Sequence, residues 1–402
     1  MLKGKMIKIL LTIKKAQRVM LLCFFLSVNA VLKAQMTIDS SYFQYEKSWI
    51  MPIPTAVAPS NYDLPLAVAV DDKISAAYIF LNIEHKERKI HFLEVSTTSG
   101  DWKIHELPYS KKLKIDTRTN LGSIIIPPSS KVKHIQILIY DLLLVVDVDQ
   151  DKIISTEKRD ENESYTFSFE EYSIAGYYYD RALAKYKTSI AKSNNIQKTN
   201  EIHPSADFIQ FTHFTPNRLM DCSSKNIAWL SVSKPMLFLY NHDLELEDSI
   251  CFDTSRWVNV DHIKDLPKYR TLRDKGLFEF GTTILQDTAS KNLSVQFVND
   301  SLILVTSNYT TTFIQETLFS ISKNNQLTVQ SSRFANVDSL FSLQKSQENF
   351  EMFHQTASGN IQKNQLYFAM TGSGEMPWTK SGTEIDNEKY SYIHLHIFRF
   401  KD

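Results

Sequence analysis

The sequence predicts an all-β fold: a β-propeller of antiparallel four-stranded blades joined by long loops. Six blades are preferred, and seven or eight stay open. Three observations carry this prediction. Short runs rich in β-branched and aromatic residues recur along the chain, each ended by Asp, Asn, Lys or Gly. Sustained 3.6-residue periodicity is rare. One strand-turn-strand plan repeats in "LLLVVDVDQDKIIST" (142–156), "MLFLYNHDLELEDSI" (236–250) and "LILVTSNYTTTFIQETLFSISKNNQLTV" (302–329). A pair of β-sandwich sheets is the structural rival.

The elements follow in chain order. Residues 1–18 carry Lys3, Lys5, Lys8, Lys14, Lys15 and Arg18 and no acid. The apolar run "VMLLCFFLSV" and small residues at Ala30 and Ala34 come next. That order is the pattern of a secretory signal over 1–34, with cleavage after Ala34 leaving Gln35 first. An uncleaved anchor is the alternative, although the run is shorter than the roughly 20 residues of a spanning helix. Cys23 raises lipidation, but Leu21 and Leu22 stand where a small residue is wanted. The expected location is the periplasm or cell envelope, as a single propeller domain over 35–402 with no membrane span after cleavage.

Strand runs then appear at 76–84, 88–96, 122–127, 134–149, 165–180, 226–233, 235–241, 293–298, 301–307, 312–322, 326–332, 364–371 and 391–400. Helices are predicted for "RALAKYKTSIAKS" (181–193), for a short piece near 337–347 and for one or two turns at 260–269, where Pro267 limits the length. Polar stretches at 185–206, 253–276 and 335–363 read as loops. On the last strand Tyr392, His394, His396, Phe398 and Phe400 share one face, and Ile393, Leu395, Ile397 and Arg399 the other. A ring must join its last sheet to its first or leave an edge open to other chains. That strand is therefore expected inside the last blade, beside a strand from 41–56 or 65–70.

Composition bounds the function. The 402 residues hold 45 Lys+Arg and 45 Asp+Glu, and a net charge of zero argues against a nucleic-acid partner. After the signal two cysteines remain, Cys222 and Cys251, either bonded to each other or buried as small residues. Asp147, Asp149 and Asp151 match the first ligand positions of a calcium loop. The required Gly is Lys152 and the closing Glu is Lys158, so a β-turn is the better reading. His394 and His396 have metal-compatible spacing but no third ligand. No metal and no cofactor are assigned. The "GSGEMPW" loop (372–378) is the most distinctive one, and it offers Glu375 and Trp378 as ligand contacts. Trp102 and Trp257, also in polar surroundings, are the other two candidates, because exposed tryptophans bind sugars or peptides through flat apolar contact. No catalytic residue is assigned, since no nucleophile elbow, zinc-protease, redox or dinucleotide motif occurs.

The stretch "FIQFTHFTPNRLMDCSSKNIAWLSVSKPMLFLYNHDLELEDSICF" (208–252) resembles a blade of the TolB-like six-bladed propellers of exported bacterial proteins. "FLYNHDLEL" stands at that family's strand end and turn, with His242-Asp243 where the family favours Asp-Gly. The resemblance implies a binding or scaffold role and carries over no catalytic residues; separately, a monomer is expected. Two functions follow as expectations. One is a non-catalytic propeller that binds a protein or glycan at its loops or central mouth. The other is a glycan-active hydrolase or lyase on the same scaffold.

Overall fold

In the computed structural model, the described residues are 42–59, 65–115, 122–126, 133–139, 142–159, 163–169, 171–177, 188–194, 199–205, 218–231, 234–252, 257–258, 290–310, 313–336, 359–372 and 390–401. They contain strands and no helix, and the strands form six sheets. The chain enters through β1 (Phe43–Pro54) and β2 (Pro65–Leu66). Blade 1 is β3 (Val68–Asp71), β4 (Ala76–Glu84), β5 (Lys89–Ser96) and β6 (Trp102–Pro108). Blade 2 is β7 (Ser123–Ile125), β8 (His134–Ile139), β9 (Leu142–Asp147) and β10 (Lys152–Lys158). Blade 3 is β11 (Glu163–Ser168), β12 (Tyr172–Tyr177), β13 (Thr188–Asn194) and β14 (Thr199–Ser205). Blade 4 is β15 (Met220–Cys222), β16 (Asn226–Leu230), β17 (Met236–Asn241) and β18 (Leu246–Cys251). Blade 5 is β19 (Lys291–Asn299), β20 (Leu302–Thr310), β21 (Phe313–Ile321) and β22 (Leu327–Asn336).

Blade 6 closes the ring with both ends of the chain. Here β25 (Tyr390–Phe400) lies between β24 (Gln365–Gly372) and β1, with Phe43 opposite Phe400 and Pro54 opposite Tyr390. The inner position is shared by β23 (Asn360–Gln362) and β2, which pair with successive parts of β24. The expected neighbour of the last strand is therefore present. β1 carries Pro52 and Pro54 without breaking a ladder, because it is the outermost strand.

The core sits between blades. Alternation on β25 sends Ile393, Leu395 and Ile397 toward blade 1 and Phe398 and Phe400 toward blade 5. Comparable apolar layers join blades 1 and 2, 3 and 4, and 4 and 5. One sequence prediction is corrected here. The run 181–193 was expected to be helical, yet Thr188–Asn194 is β13, paired on both sides. Cross-strand pairing outweighs the weak helix propensity of its Ala and Lys. The loop expected at 185–206 likewise holds β13 and β14. The helices expected at 260–269 and near 337–347 lie outside the described residues.

Strand direction alternates within a blade, so the ring has two unlike ends. First-to-second and third-to-fourth connections leave one end and are short, as at 71–76, 96–102, 222–226, 241–246 and 362–365. We call this the turn end. The other connections leave the loop end, and they include 108–123, 251–291, 336–360 and 372–390.

Candidate functional site

The three repeated segments are the third-to-fourth connections of blades 2, 4 and 5, and they share one construction. A side-chain oxygen at the strand end accepts backbone N–H groups of the turn. Asp147 accepts from Gln150 (3.1 Å), Asn241 from Asp243 (2.9 Å) and Glu245 (3.0 Å), and Ser322 from Asn324 (3.2 Å) and Gln326 (3.0 Å). Each turn then places one residue at positive φ: Asp151 (49°), Leu244 (65°) and Asn325 (57°). Leu244 takes the strained conformation without glycine because its side chain is buried between blades 3 and 4.

The three aspartates therefore diverge. Asp147 caps the turn, Asp149 pairs with Lys133 (2.7 Å), and Asp151 reaches His105 of blade 1. Among the described residues no group of three or more acidic, His or Cys side chains is placed to hold a metal ion. Asp149 is two-thirds exposed, so Asp149→Asn is expected to cost at most about 0.5 kcal/mol. Calcium is expected to leave the melting temperature unchanged, because a ligand of the native state must raise it. A calcium-dependent rise lost in that variant would restore the metal reading.

The turn end is committed to joining blades. His242 sits where Tyr172 donates to Nδ1 (2.7 Å) while Nε2–H donates to the Ser223 carbonyl (3.2 Å). Burial holds this imidazole below its ordinary pKa, in keeping with a neutral ring. Its neighbour Asp243 pairs with Lys192 of blade 3 (2.6 Å). Asp248 accepts from the Leu327 N–H across blades 4 and 5 (2.7 Å), Asn299 donates to Asn364 (2.8 Å), and Lys363 pairs with Asp72. The His242-Asp243 pair that replaces Asp-Gly is thus an inter-blade fastening.

At the loop end the inner strands make a different arrangement. Arg218 precedes β15, and its backbone bridges to β19 of the next blade: its N–H donates to Leu293 (3.2 Å) and its carbonyl accepts from Val295 (2.8 Å). The guanidinium donates to Asp221 (2.5 Å) and to Gln296 (3.2 Å). Asp221 also accepts from Phe297 N–H (2.7 Å), and Gln296 accepts from Ile361 N–H of blade 6 (3.0 Å). Burial pushes the Asp221 carboxyl above its usual range, opposed by Arg218. The Arg218 side chain keeps 22% of its surface exposed. A cation fixed by acceptors on two blades can receive an anionic group without reorganising. The one carboxylate in contact with it is spent on the guanidinium and on backbone N–H.

The two described residues among those singled out from sequence, Trp102 and Trp257, lie at opposite ends of the ring. Trp102 opens β6 at the turn end and is 39% exposed. Trp257 is half-buried in the connection from β18 to β19, at the loop end, where Val258 and Ser290 exchange hydrogen bonds. Glu375 and Trp378 lie outside the described residues, as does the stretch 1–34 that was expected to be a signal.

His394 and His396 face blade 5 and are buried, at 4% and 0% exposure. Burial holds His394 below its ordinary pKa, and burial followed by the neighbouring His394 takes His396 down to about 3. Ser48 bonds His396 Nδ1 at 2.6 Å. These are neutral packing residues, stacked on each other at 5.9 Å. Cys222 and Cys251 are free thiols on the first and fourth strands of blade 4. Three strand spacings of about 4.8 Å exceed a disulfide's reach of about 7 Å between Cα atoms.

No protein-family model matches the chain, and no curated protein does. Among solved structures it is similar to a hypothetical selenium-binding protein from Sulfolobus tokodaii (10% identity, TM-score 0.39, covering 69% of this chain and 67% of that one). It is also similar to Raptor from Chaetomium thermophilum (10%, TM-score 0.39, 64% of this chain and 20% of that one). A third is Hsv2p from Kluyveromyces lactis (10%, TM-score 0.28, 67% and 99%). The chain spans a fifth of the Raptor chain. The six-bladed assignment rests on the strand pairing itself.

Proposed function

We propose that this propeller is a non-catalytic binding protein of the periplasm or cell envelope that meets a protein or glycan partner at its loop end and central mouth. The observation that carries the reading is the division of labour between the two ends. At the turn end Asp151, Asp243 and Lys363 are spent on neighbouring blades, whereas at the loop end Arg218 is held by acceptors on two blades with its side chain partly exposed. The TolB-like resemblance belongs to this reading. The strand, turn and strand that carry it are β17, 241–246 and β18 of blade 4.

The test places a photo-crosslinking residue at the loop end (Arg88 or Val258) or at the turn end (Ser99 or Lys323) in the full chain, in envelope extract. Crosslinks from the loop-end positions alone are expected. Equal crosslinking from both ends overturns the proposal. The envelope form is expected to begin at Gln35 or Val31, and an intact Met1 there overturns the export step. Turnover of a glycan lost in Arg218→Gln moves the reading to the hydrolase or lyase.

A further inference from the structure

We propose that one corner of blade 1, formed by residues 84–89 and 109–115, binds a linear acidic polysaccharide. The inference rests on the reading of the loop end as the recognition end, and it names the chemistry recognised there. Both segments leave that end: 84–89 joins β4 to β5, and 109–115 follows β6. They are fastened together, since Tyr109 N–H donates to the Arg88 carbonyl (2.9 Å). Leu113 N–H closes a turn on Ser110 (3.0 Å), and Leu113 and Ile115 pack against the core between blades 1 and 2. That anchor leaves Lys111, Lys112 and Lys114 exposed, beside exposed Lys86 and half-buried Arg88.

The charge there is unbalanced. Of the acids in the two segments and on adjoining β6, Glu106 is taken by Lys89 (2.7 Å) and Glu84 lies 3.4 Å from His91. Lys86, Arg88, Lys111, Lys112 and Lys114 form no ion pair with another described residue, and Glu87 is the remaining acid of these segments. Five cations against two carboxylates, Glu84 and Glu87, form a local positive field in a chain whose net charge is zero.

The shape of the patch selects among polyanions. None of the exposed large hydrophobic residues (Tyr45, Trp102, Ile154, Leu246, Val258, Val329, Tyr390) belongs to either segment. A protein interface wants aromatic or apolar anchors, and a lipid surface wants an apolar face to insert. Single-stranded nucleic acid wants exposed aromatic platforms, and Tyr109 is half-buried with its hydroxyl toward His85 (3.5 Å). A sulfated or uronic polysaccharide presents spaced charge and asks for none of these.

The test measures heparin and polygalacturonate binding to the full chain over a range of salt. Heparin is expected to bind wild type. Lys111→Gln/Lys112→Gln/Lys114→Gln is expected to weaken it at least tenfold and to lower the slope of log affinity against log salt by about 2, at roughly 0.7 per lost contact. The triple Lys→Arg variant retains binding, and both variants melt like wild type. A Gln variant that binds as wild type does, or wild type that binds neither polymer, overturns the proposal. Equal binding of duplex DNA or of phosphatidylserine vesicles at these lysines overturns the polysaccharide assignment. Loop-end crosslinks that persist in the Gln variant leave the broader binding role standing while this inference fails.

Discussion

Removing residues 391–402 is expected to abolish the folded state. The deletion takes nearly all of β25 out of the middle of blade 6, so β24 and β1 lose their shared neighbour. Ile393, Leu395, Ile397, Phe398 and Phe400 are all buried, split between the layers facing blades 1 and 5. At roughly 1.5–3 kcal/mol per buried side chain the loss is about 7–15 kcal/mol, an upper estimate because the unfolded chain is not fully extended. That matches the entire stability of a typical domain, about 5–15 kcal/mol. The damage also reaches the other terminus: Tyr42 stacks on Phe400 (6.2 Å) and Phe43 meets it edge-on (5.6 Å). The expected product is insoluble or lacks a cooperative transition, and the unpaired edges favour association. A truncated chain that stays monomeric and melts as before would show that the ring does not close through this strand. Ile397→Ala gives a graded version, with an expected cost of about 2–5 kcal/mol read from chemical denaturation.

Much of this closure is legible in the sequence, because alternation over ten residues states which faces are buried before any partner is known. Arg399 breaks the apolar pattern at the strand's end, and it is exposed there beside Glu46 (3.9 Å). The repeated turns are legible for the same local reason: an Asp, Asn or Ser closing an apolar strand is a cap. Where one strand ends and the next begins is less so. The run 134–149 reads as one but holds β8 and β9, and the run beginning at 165 holds β11 and β12 up to Tyr177, since neither hairpin is marked by Gly or Pro. The Arg218 constellation leaves no trace. Arg218 and Asp221 stand three apart, out of step with strand alternation, and their partner Gln296 belongs to another blade. The two described tryptophans, Trp102 and Trp257, were equally legible as residues in polar surroundings, but polar neighbours in sequence do not say which end of a ring a residue occupies.

Replacing His105 by Ala is expected to loosen the junction of blades 1 and 2 and to change how stability depends on acid. His105 lies on β6 at 2% exposure, and its ring stacks on Phe92 (4.6 Å, 6°). Its Nε2 is 2.8 Å from Glu94 of the same blade, and its Nδ1 bonds Asp151 in the turn of blade 2, which Lys103 also reaches (3.3 Å). Carboxylates face both nitrogens, so the two bonds need N–H on each side. The Glu94 carboxyl is held below its ordinary value by the bond from His105, which outweighs burial. For Asp151 burial acts upward, but the bond and charge of His105 with those of Lys103 take it down. Depressed carboxylates contribute stability above their unfolded values of 4.5 and 3.8, and that contribution is lost as pH falls through the folded values. Wild type is therefore expected to lose melting temperature steeply below about pH 4. His105→Ala should melt lower at pH 7 and fall less on acidification. Breaking a buried pair from one side costs about 3–5 kcal/mol; Asp151 is 37% exposed and screened, so about 2–3 kcal/mol is expected, a shift of several degrees. His105→Gln, which keeps volume and one donor, should fall between the two. Calorimetry from pH 3 to 8 on the three proteins decides it: equal melting at pH 7, or parallel acid limbs, would mean that the histidine only fills space.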